Sequence, residues 1–215
     1  MKKALMILAL AGSLLLGGCN SNIFTKPVNP LIEQKVINEI YYDNDTKVIT
    51  FNLYTGIYVG DARKFLELLQ FCRVNKVVRL DINICSYGGE VFPMWAIIDH
   101  INAIKKLGIE VHTYGYGFAA SASALIFIMG DKRFIAEQAW FMIHPHSNAA
   151  RTYGSKSELL MFQKWSVRYA KIVSEASKLS FDEVMEMLKG SSRENTNYFC
   201  ATECIDLGIA HEIIK

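Results

Sequence analysis

Residues 77–130 read VVRLDINICSYGGEVFPMWAIIDHINAIKKLGIEVHTYGYGFAASASALIFIMG, and the order of patterns in this stretch decides the fold. Val77–Ile84 is a β-branched run with period-two character, in which Val78, Leu80, Ile82 and Ile84 share one face. Pro93 then opens a helix at a position that tolerates proline. Met94, Ile97, Ile98, Ile101 and Ile104 form its buried stripe and Gly108 stops it. Ile109–Tyr116 is a second strand, and Ala122–Met129 is a very apolar helix closed by Gly130. Working outward, Val48–Tyr54 is a strand followed by a helix that Asp61 can cap, with Phe65, Leu68, Leu69 and Cys72 at helical spacing. Trp140–Ile143 is a further strand. Strands alternating with crossover helices predict an α/β fold with a mostly parallel sheet and helices outside it.

Beyond that core, Glu158–Leu179 reads as one long helix. Phe162, Trp165, Tyr169, Ile172, Ala176 and Leu179 step by three and four along it, a narrow coiled-coil-like seam. Such a stripe fits a subunit contact or a cover over its own domain equally well. Ser180-Phe181-Asp182-Glu183 is a capping box for a last helix that stops at Gly190.

Composition narrows the function. The chain has 215 residues, 51% of them apolar and 20% charged, enough for a sizeable core in one domain, or two at most. Without Lys2 and Lys3, which sit in a segment expected to be removed, the basic count falls to 21, equal to the acidic count. A nucleic-acid partner would call for a basic excess, and none exists. Five cysteines are too few for a disulfide scaffold. Cys72 and Cys204 fall in apolar helical patterns, while Cys85 and Cys200 cannot be paired from sequence. His144-Pro145-His146 is a lone H-x-H without further ligands, so neither a metal nor a cofactor is expected.

The N-terminus reads as an address. Met1-Lys2-Lys3 is positive, Ala4–Leu16 is apolar and too short to span a membrane comfortably, and Leu16-Gly17-Gly18-Cys19 closes it. This resembles a bacterial lipobox, in which the cysteine is lipidated and becomes the new N-terminus. Residues 1–18 are then a signal peptide and 19–46 a lipid-anchored tether, leaving 47–215 as the working domain. Acyl chains on Cys19 would hold the protein on the periplasmic face of a bacterial membrane, away from an ATP supply.

Three segments carry chemistry. Ser86-Tyr87-Gly88-Gly89 follows a strand, and paired glycines let a backbone N–H face a ligand. A plain strand–helix turn uses the same residues. Gly115 to Ala124 is almost wholly Gly, Ala and Ser around Ser121, which permits a tight elbow exposing one hydroxyl; the plain alternative is an N-cap serine. Met142-Ile143-His144 ends a buried strand with an imidazole that could activate that hydroxyl.

In this order, S-x-G-G, G-x-A-A-S, M-I-H, a long helix and a closing E-x-x-D-x-G-I-A segment resemble the proteolytic subunit of the Clp protease (caseinolytic protease P) family, from about Leu53 to Ile214. The resemblance implies a ClpP/crotonase-like spiral of ββα units with a protruding handle helix at Glu158–Leu179. It assigns Ser121 as nucleophile and His144 as general base, with the N–H groups of Gly88 and Ala122 as oxyanion hole. It also implies a homo-oligomeric ring, a heptamer or stacked heptamers, acting on peptide or unfolded-protein substrates. The family's partner is a cytoplasmic ATPase, which a lipobox would place across the membrane, so no ATPase is expected.

The sequence departs from the family at two places. Tyr87 stands where the family has proline. No aspartate occurs in Arg193–Asn197, so the third catalytic position falls to Asn197 or Asn195, with Thr196 in the gap-free alignment and Glu194 a charged substitute. An asparagine can orient an imidazole but cannot stabilise the imidazolium by charge, a loss of about 10⁴ in rate in a template serine protease. The expected function is a membrane-anchored serine peptidase. The alternative is a catalytically silent ring that binds peptides or partners. Two weaker readings are a Ser–Lys dyad using Lys132 or Lys156, and an acyl-CoA-binding crotonase relative.

Overall fold

The computed structural model describes residues 40–145, 155–190 and 195–215. The segment expected as a signal peptide, Cys19, His146 and Glu194 lie outside the described residues. The elements in chain order are β1 (Ile40–Asp43), β2 (Val48–Leu53), α1 (Val59–Val74), β3 (Arg79–Ser86), α2 (Val91–Lys106), β4 (Glu110–Ala120), α3 (Ala122–Ile128), β5 (Lys132–Ala136) and β6 (Trp140–Ile143). They are followed by α4 (Lys156–Ala176), α5 (Phe181–Met187), β7 (Asn197–Cys200), α6 (Ala201–Asp206) and β8 (Glu212–Ile214).

Eight strands form one sheet in the order β1-β2-β3-β4-β5-β8, with β6 on the far end of β4 and β7 on β6. Pairings β2–β3, β3–β4, β4–β5, β4–β6 and β5–β8 are parallel; β1–β2 and β6–β7 are antiparallel. This is the expected α/β fold with a mostly parallel sheet. The central strand serves two partners: its His112–Gly115 stretch pairs with β5 and its Phe118–Ala120 stretch with β6. The register of β3 on β4 shifts between Ile84 and Ser86, so Ser86 lies opposite Ala119. That shift carries the Ser86–Gly89 loop to the end of β4.

Alternation explains which face is core. Ile49, Phe51 and Leu53 of β2 and Leu80, Ile82 and Ile84 of β3 are fully buried, as are Phe65 of α1 and Ile97, Ile101 and Ile104 of α2. Phe51 and Phe65 pack with ring centroids 4.7 Å apart, and a fully buried side chain of this size contributes about 2–3 kcal/mol. All seven residues of α3 are buried, as its apolar run requires.

Several elements differ from the sequence reading for local reasons. The sheet begins at Ile40, before the expected domain start at Lys47, because β1 adds to the edge of β2. Helix α1 starts at Val59 with Tyr58 as N-cap. Asp61 acts from the third helical position, its Oδ2 accepting the Tyr58 N–H at 3.0 Å. Helix α2 starts at Val91, with Pro93 inside its first turn rather than opening it. Val78 is 55% exposed and precedes β3 instead of sharing its buried face. Helix α4 ends at Ala176, not Leu179. Ser177 Oγ donates back to the Val173 carbonyl and accepts the Leu179 N–H, while the Lys178 N–H leaves for the Leu207 carbonyl. The Ser180–Glu183 capping box forms as read, but α5 is not the last helix, since α6 follows it.

Candidate active site

The end of β4 turns directly into α3, and Ser121 stands at the turn with φ 56° and ψ −119°. A non-glycine residue in that region carries strain of order 1–3 kcal/mol, and a serine held this way at a strand-to-helix turn is the nucleophile-elbow geometry. The strain is held in place from several sides. The Ser121 N–H donates to the Met142 carbonyl at 2.9 Å, and its carbonyl accepts from the Ala124 N–H at 3.1 Å and the Tyr169 hydroxyl at 3.5 Å.

Ser123, the other hydroxyl of this segment, is fully buried and structural. Its Oγ accepts the Ala120 N–H at 2.8 Å and lies 2.7 Å from the Ser86 carbonyl and 2.8 Å from the Ala120 carbonyl, tying the ends of β3 and β4 to α3. Small residues here make room for the neighbouring loop. At Gly88, with φ 94°, a Cβ would lie 2.7 Å from the Ala120 carbonyl oxygen, 2.8 Å from Ser121 Cβ and 2.9 Å from the Ala122 nitrogen. Only glycine permits that approach. Gly88 and Ala122, the two residues expected to supply oxyanion donors, are thus brought against Ser121. In this conformation the Gly88 N–H donates to Ser86 Oγ at 3.1 Å, and Ser86 Oγ donates to the Thr55 carbonyl at 2.6 Å. Ala122 is the first residue of α3, so its N–H has no acceptor within the helix.

His144 follows β6, which pairs with β4 beside the elbow through Phe118–Trp140, Ala119–Phe141 and Ala120–Met142. Ser121, Ala122 and His144 line one small cleft together with Val91, Met94 and Tyr169. The Nδ1 atom of His144 is 2.5 Å from the Pro145 carbonyl oxygen. A carbonyl only accepts, so this contact places the ring proton on Nδ1 and leaves Nε2 as the basic nitrogen.

The three uncharged candidates for the third position occupy different places. Asn195 Nδ2 donates to the Glu186 and Lys189 carbonyls at 2.7 and 3.2 Å, closing the end of α5, and its Oδ1 accepts from Asn197 Nδ2 at 3.1 Å. Asn197 pairs with Ile143 in the β6–β7 ladder, one pair short of His144. Continuing that antiparallel register sets Thr196 across from His144.

The Ser–Lys alternative gains no geometry. Lys132 pairs with Glu110 at 3.5 Å, and Lys156 begins α4 without lining the cleft. Tyr87, Phe118 and Trp95 are not among the residues that line the cleft. Tyr87 is 80% exposed and packs at a tilt against Phe118 with ring centroids 5.0 Å apart, and Phe118 meets Tyr198 edge-on at 6.3 Å, forming an aromatic strip outside it. The residues that do wall the cleft, Val91, Met94 and Tyr169, were missed. Met94 and Tyr169 were legible only as members of helical stripes. Cys72 and Cys204 are buried as expected, their thiols pushed up by burial to about 11 and about 12; Cys85 and Cys200 are free, as are the other described cysteines. Among the described residues, no group of three or more metal-ligating side chains occurs, and no helix is long and apolar enough to cross a membrane.

No curated protein matches the chain. Among solved structures, it is similar to an Asn-to-Asp variant of ClpP1 from Listeria monocytogenes, with a TM-score of 0.66 and 25% identity over 80% of this chain and 92% of that one. The family model described as Clp protease matches residues 35–215, which includes every element above. With the strained serine, the glycine loop pressed on it and the histidine in one cleft, the chain belongs to the Clp protease family.

Proposed function

We propose that this chain is a serine peptidase in which Ser121 and His144 act together, anchored by a lipid on Cys19 outside the cytoplasm and hydrolysing peptides or unfolded chains without ATP. The observation that carries the chemistry is the cleft shared by a strained Ser121 and by His144, whose Nδ1 faces the Pro145 carbonyl. His144 Nε2 takes the Ser121 proton as Oγ attacks the scissile carbonyl, and returns it to the leaving amine. The Ala122 N–H stabilises the developing oxyanion, joined by the Gly88 N–H once that donor turns from Ser86 Oγ. The Pro145 carbonyl fixes the tautomer, a task a triad gives to its acid. The third position, at Asn197 or Thr196, is uncharged, which sets a slow chemical step. The exposed Leu159, Leu160 and Val167 of α4 support self-association into a ring, while Tyr169, Ala170 and Val173 on the same helix are buried against its own domain.

A second reading, a catalytically silent ring-forming lipoprotein, is favoured by two observations: the uncharged third position and the engaged Gly88 N–H. Treatment of the purified chain with a fluorophosphonate separates the two. The peptidase reading expects a single adduct on Ser121 by mass spectrometry, absent in Ser121→Ala and weakened in His144→Ala. A folded, oligomeric protein that takes no adduct is the silent ring.

A further inference from the structure

Resting on the peptidase reading, we propose that Tyr169 restricts the residue on the acyl side of the cut bond, P1, to a small apolar side chain of about alanine size. The cleft beside Ser121 has a volume of about 20 Å³, room for about one water molecule. A methyl group fits that space; the four carbons of a leucine side chain or the ring of phenylalanine do not. The walls are Val91 and Met94 from the first turn of α2 and Tyr169 from α4.

Two of these walls have little freedom to retreat. Met94 is 1% and Tyr169 3% exposed, and the Tyr169 ring is anchored at its far end, where the hydroxyl donates to the Ser121 carbonyl at 3.5 Å. Burial raises the Tyr169 phenol, so it stays a neutral donor across the working pH range. The lining contains no Asp, Glu, Lys or Arg, so a charged P1 side chain would be desolvated without compensation. Tyr169 therefore has two separable effects: its ring limits P1 size, and its hydroxyl braces the strained backbone of the nucleophile.

The test uses peptidyl diphenyl phosphonates identical except for Ala, Leu or Phe at P1, with the labelling rate of Ser121 followed by mass spectrometry on the full chain. A plain alkyl fluorophosphonate runs as control. The wild type is expected to react with the Ala probe at least about tenfold faster than with the Leu or Phe probe, the scale on which apolar pockets discriminate by size. Tyr169→Ala is expected to raise the Leu-to-Ala rate ratio at least about tenfold. Should that variant not fold, Tyr169→Leu, which keeps an apolar wall without the ring, carries the same test. Tyr169→Phe separates the second effect: all three probes slow by one common factor and their ratios hold.

A wild type that labels with Leu or Phe as fast as with Ala overturns the size limit, and so does a widened variant with an unchanged ratio. If Ser121 takes the fluorophosphonate and shows no P1 preference, only the size limit falls. If no probe labels a folded protein, the peptidase reading falls with it.

Discussion

The two flanks of His144 are built differently. Before it, the chain from β3 to β6 forms the site from buried, mutually dependent pieces: a register shift that delivers Gly88, a strained Ser121, and a Ser123 hydroxyl joining the ends of two strands to a helix. After it, β7, α6 and β8 are short elements applied to the sheet at two separate places, β7 on β6 and β8 on β5. Side chains near the third position spend their bonds on local structure, Asn195 on the end of α5 and Asn197 on Asn195. The nucleophile flank is over-determined and the orienting flank is not. In a catalytic unit of this type the members are strongly non-additive, so the loose flank governs how much the tight one can deliver.

The comparison breaks most visibly at Ser121. Removing the nucleophile of a complete serine protease costs about 10⁶ in kcat, but where the acid is already missing most of that loss has been taken, leaving about 10² for the serine. Ser121→Ala is therefore expected to lower peptidase activity about 10²-fold, measured as kcat on an unstructured peptide. A loss near 10⁶ would mean that the orienting flank is fully functional as it stands, and the contrast between the flanks would disappear.

A carboxylate supplied to the loose flank tests the contrast from the other side. The ladder ends with Asn197 across from Ile143, and one further step of the same register would bring Thr196 across from His144. Thr196→Asp is expected to raise kcat at least about tenfold, against a ceiling of about 10⁴ for a fully effective acid, and Asn197→Asp to raise it less. The reverse order would put the third position at Asn197. No gain from either would leave the Pro145 carbonyl as the sole orienting group.

The same asymmetry decided what could be read from sequence. Ser121, Gly88 and His144 were legible because each needs a residue type that few alternatives can supply: glycine where a Cβ would strike Ser121, small residues at an elbow, an imidazole at a strand end. Helices α1 and α2 were legible from their periodicity and α3 from its unbroken apolar run, with ends displaced by caps such as Asp61 acting from inside the first turn. Strand β5 was missed because its inward positions are Arg133 and Ile135, and a buried arginine breaks the apolar alternation on which the reading depends. The short β7 and β8 have too few residues to show a period. Tyr169 was visible as part of a helical stripe, but a stripe does not reveal that one member reaches Ser121. The assignment among Asn195, Thr196 and Asn197 depends on strand register, which the sequence of the third-position segment does not encode.

Arg133 is what joins the two flanks. Its guanidinium is buried, and it donates to the carbonyls of Ile209 at 2.7 Å, Gly208 at 2.9 Å, Ala176 at 2.6 Å and Gly130 at 3.2 Å. Burial lowers its affinity for the proton, with Asp131 acting in the opposite direction. Arg133→Met keeps much of the length and removes every donor, leaving buried carbonyls unpaired at about 1–3 kcal/mol each where water cannot reach them. A loss of about 3 kcal/mol in unfolding free energy is expected by urea titration. Hydrogen exchange should rise first in residues 207–214, ahead of β3 and β4. Uniform exchange across the sheet would show that the C-terminal segment is as firmly built in as the rest.

The smallest effect belongs to His211, which holds the same segment from the outside. Its Nδ1 accepts the Arg133 N–H at 3.0 Å, a bond that exists only while Nδ1 is unprotonated. Burial, and then the Arg133 charge, hold its pKa below the ordinary histidine value of 6.5. As pH falls through about 6.5 the unfolded chain therefore takes up a proton before the folded one does. The stability this group leaves in place above that pH is lost on acidification, down to the lowered folded pKa, and nothing changes between pH 7 and 8 on its account. The melting temperature of wild type is expected to fall more steeply from pH 7 to 5 than that of His211→Gln, which keeps a side-chain acceptor and cannot titrate. Because His211 is exposed, the difference between the two curves should be small beside the loss in Arg133→Met. Coincident curves would remove His211 from the attachment and leave Arg133 as the link between the flanks.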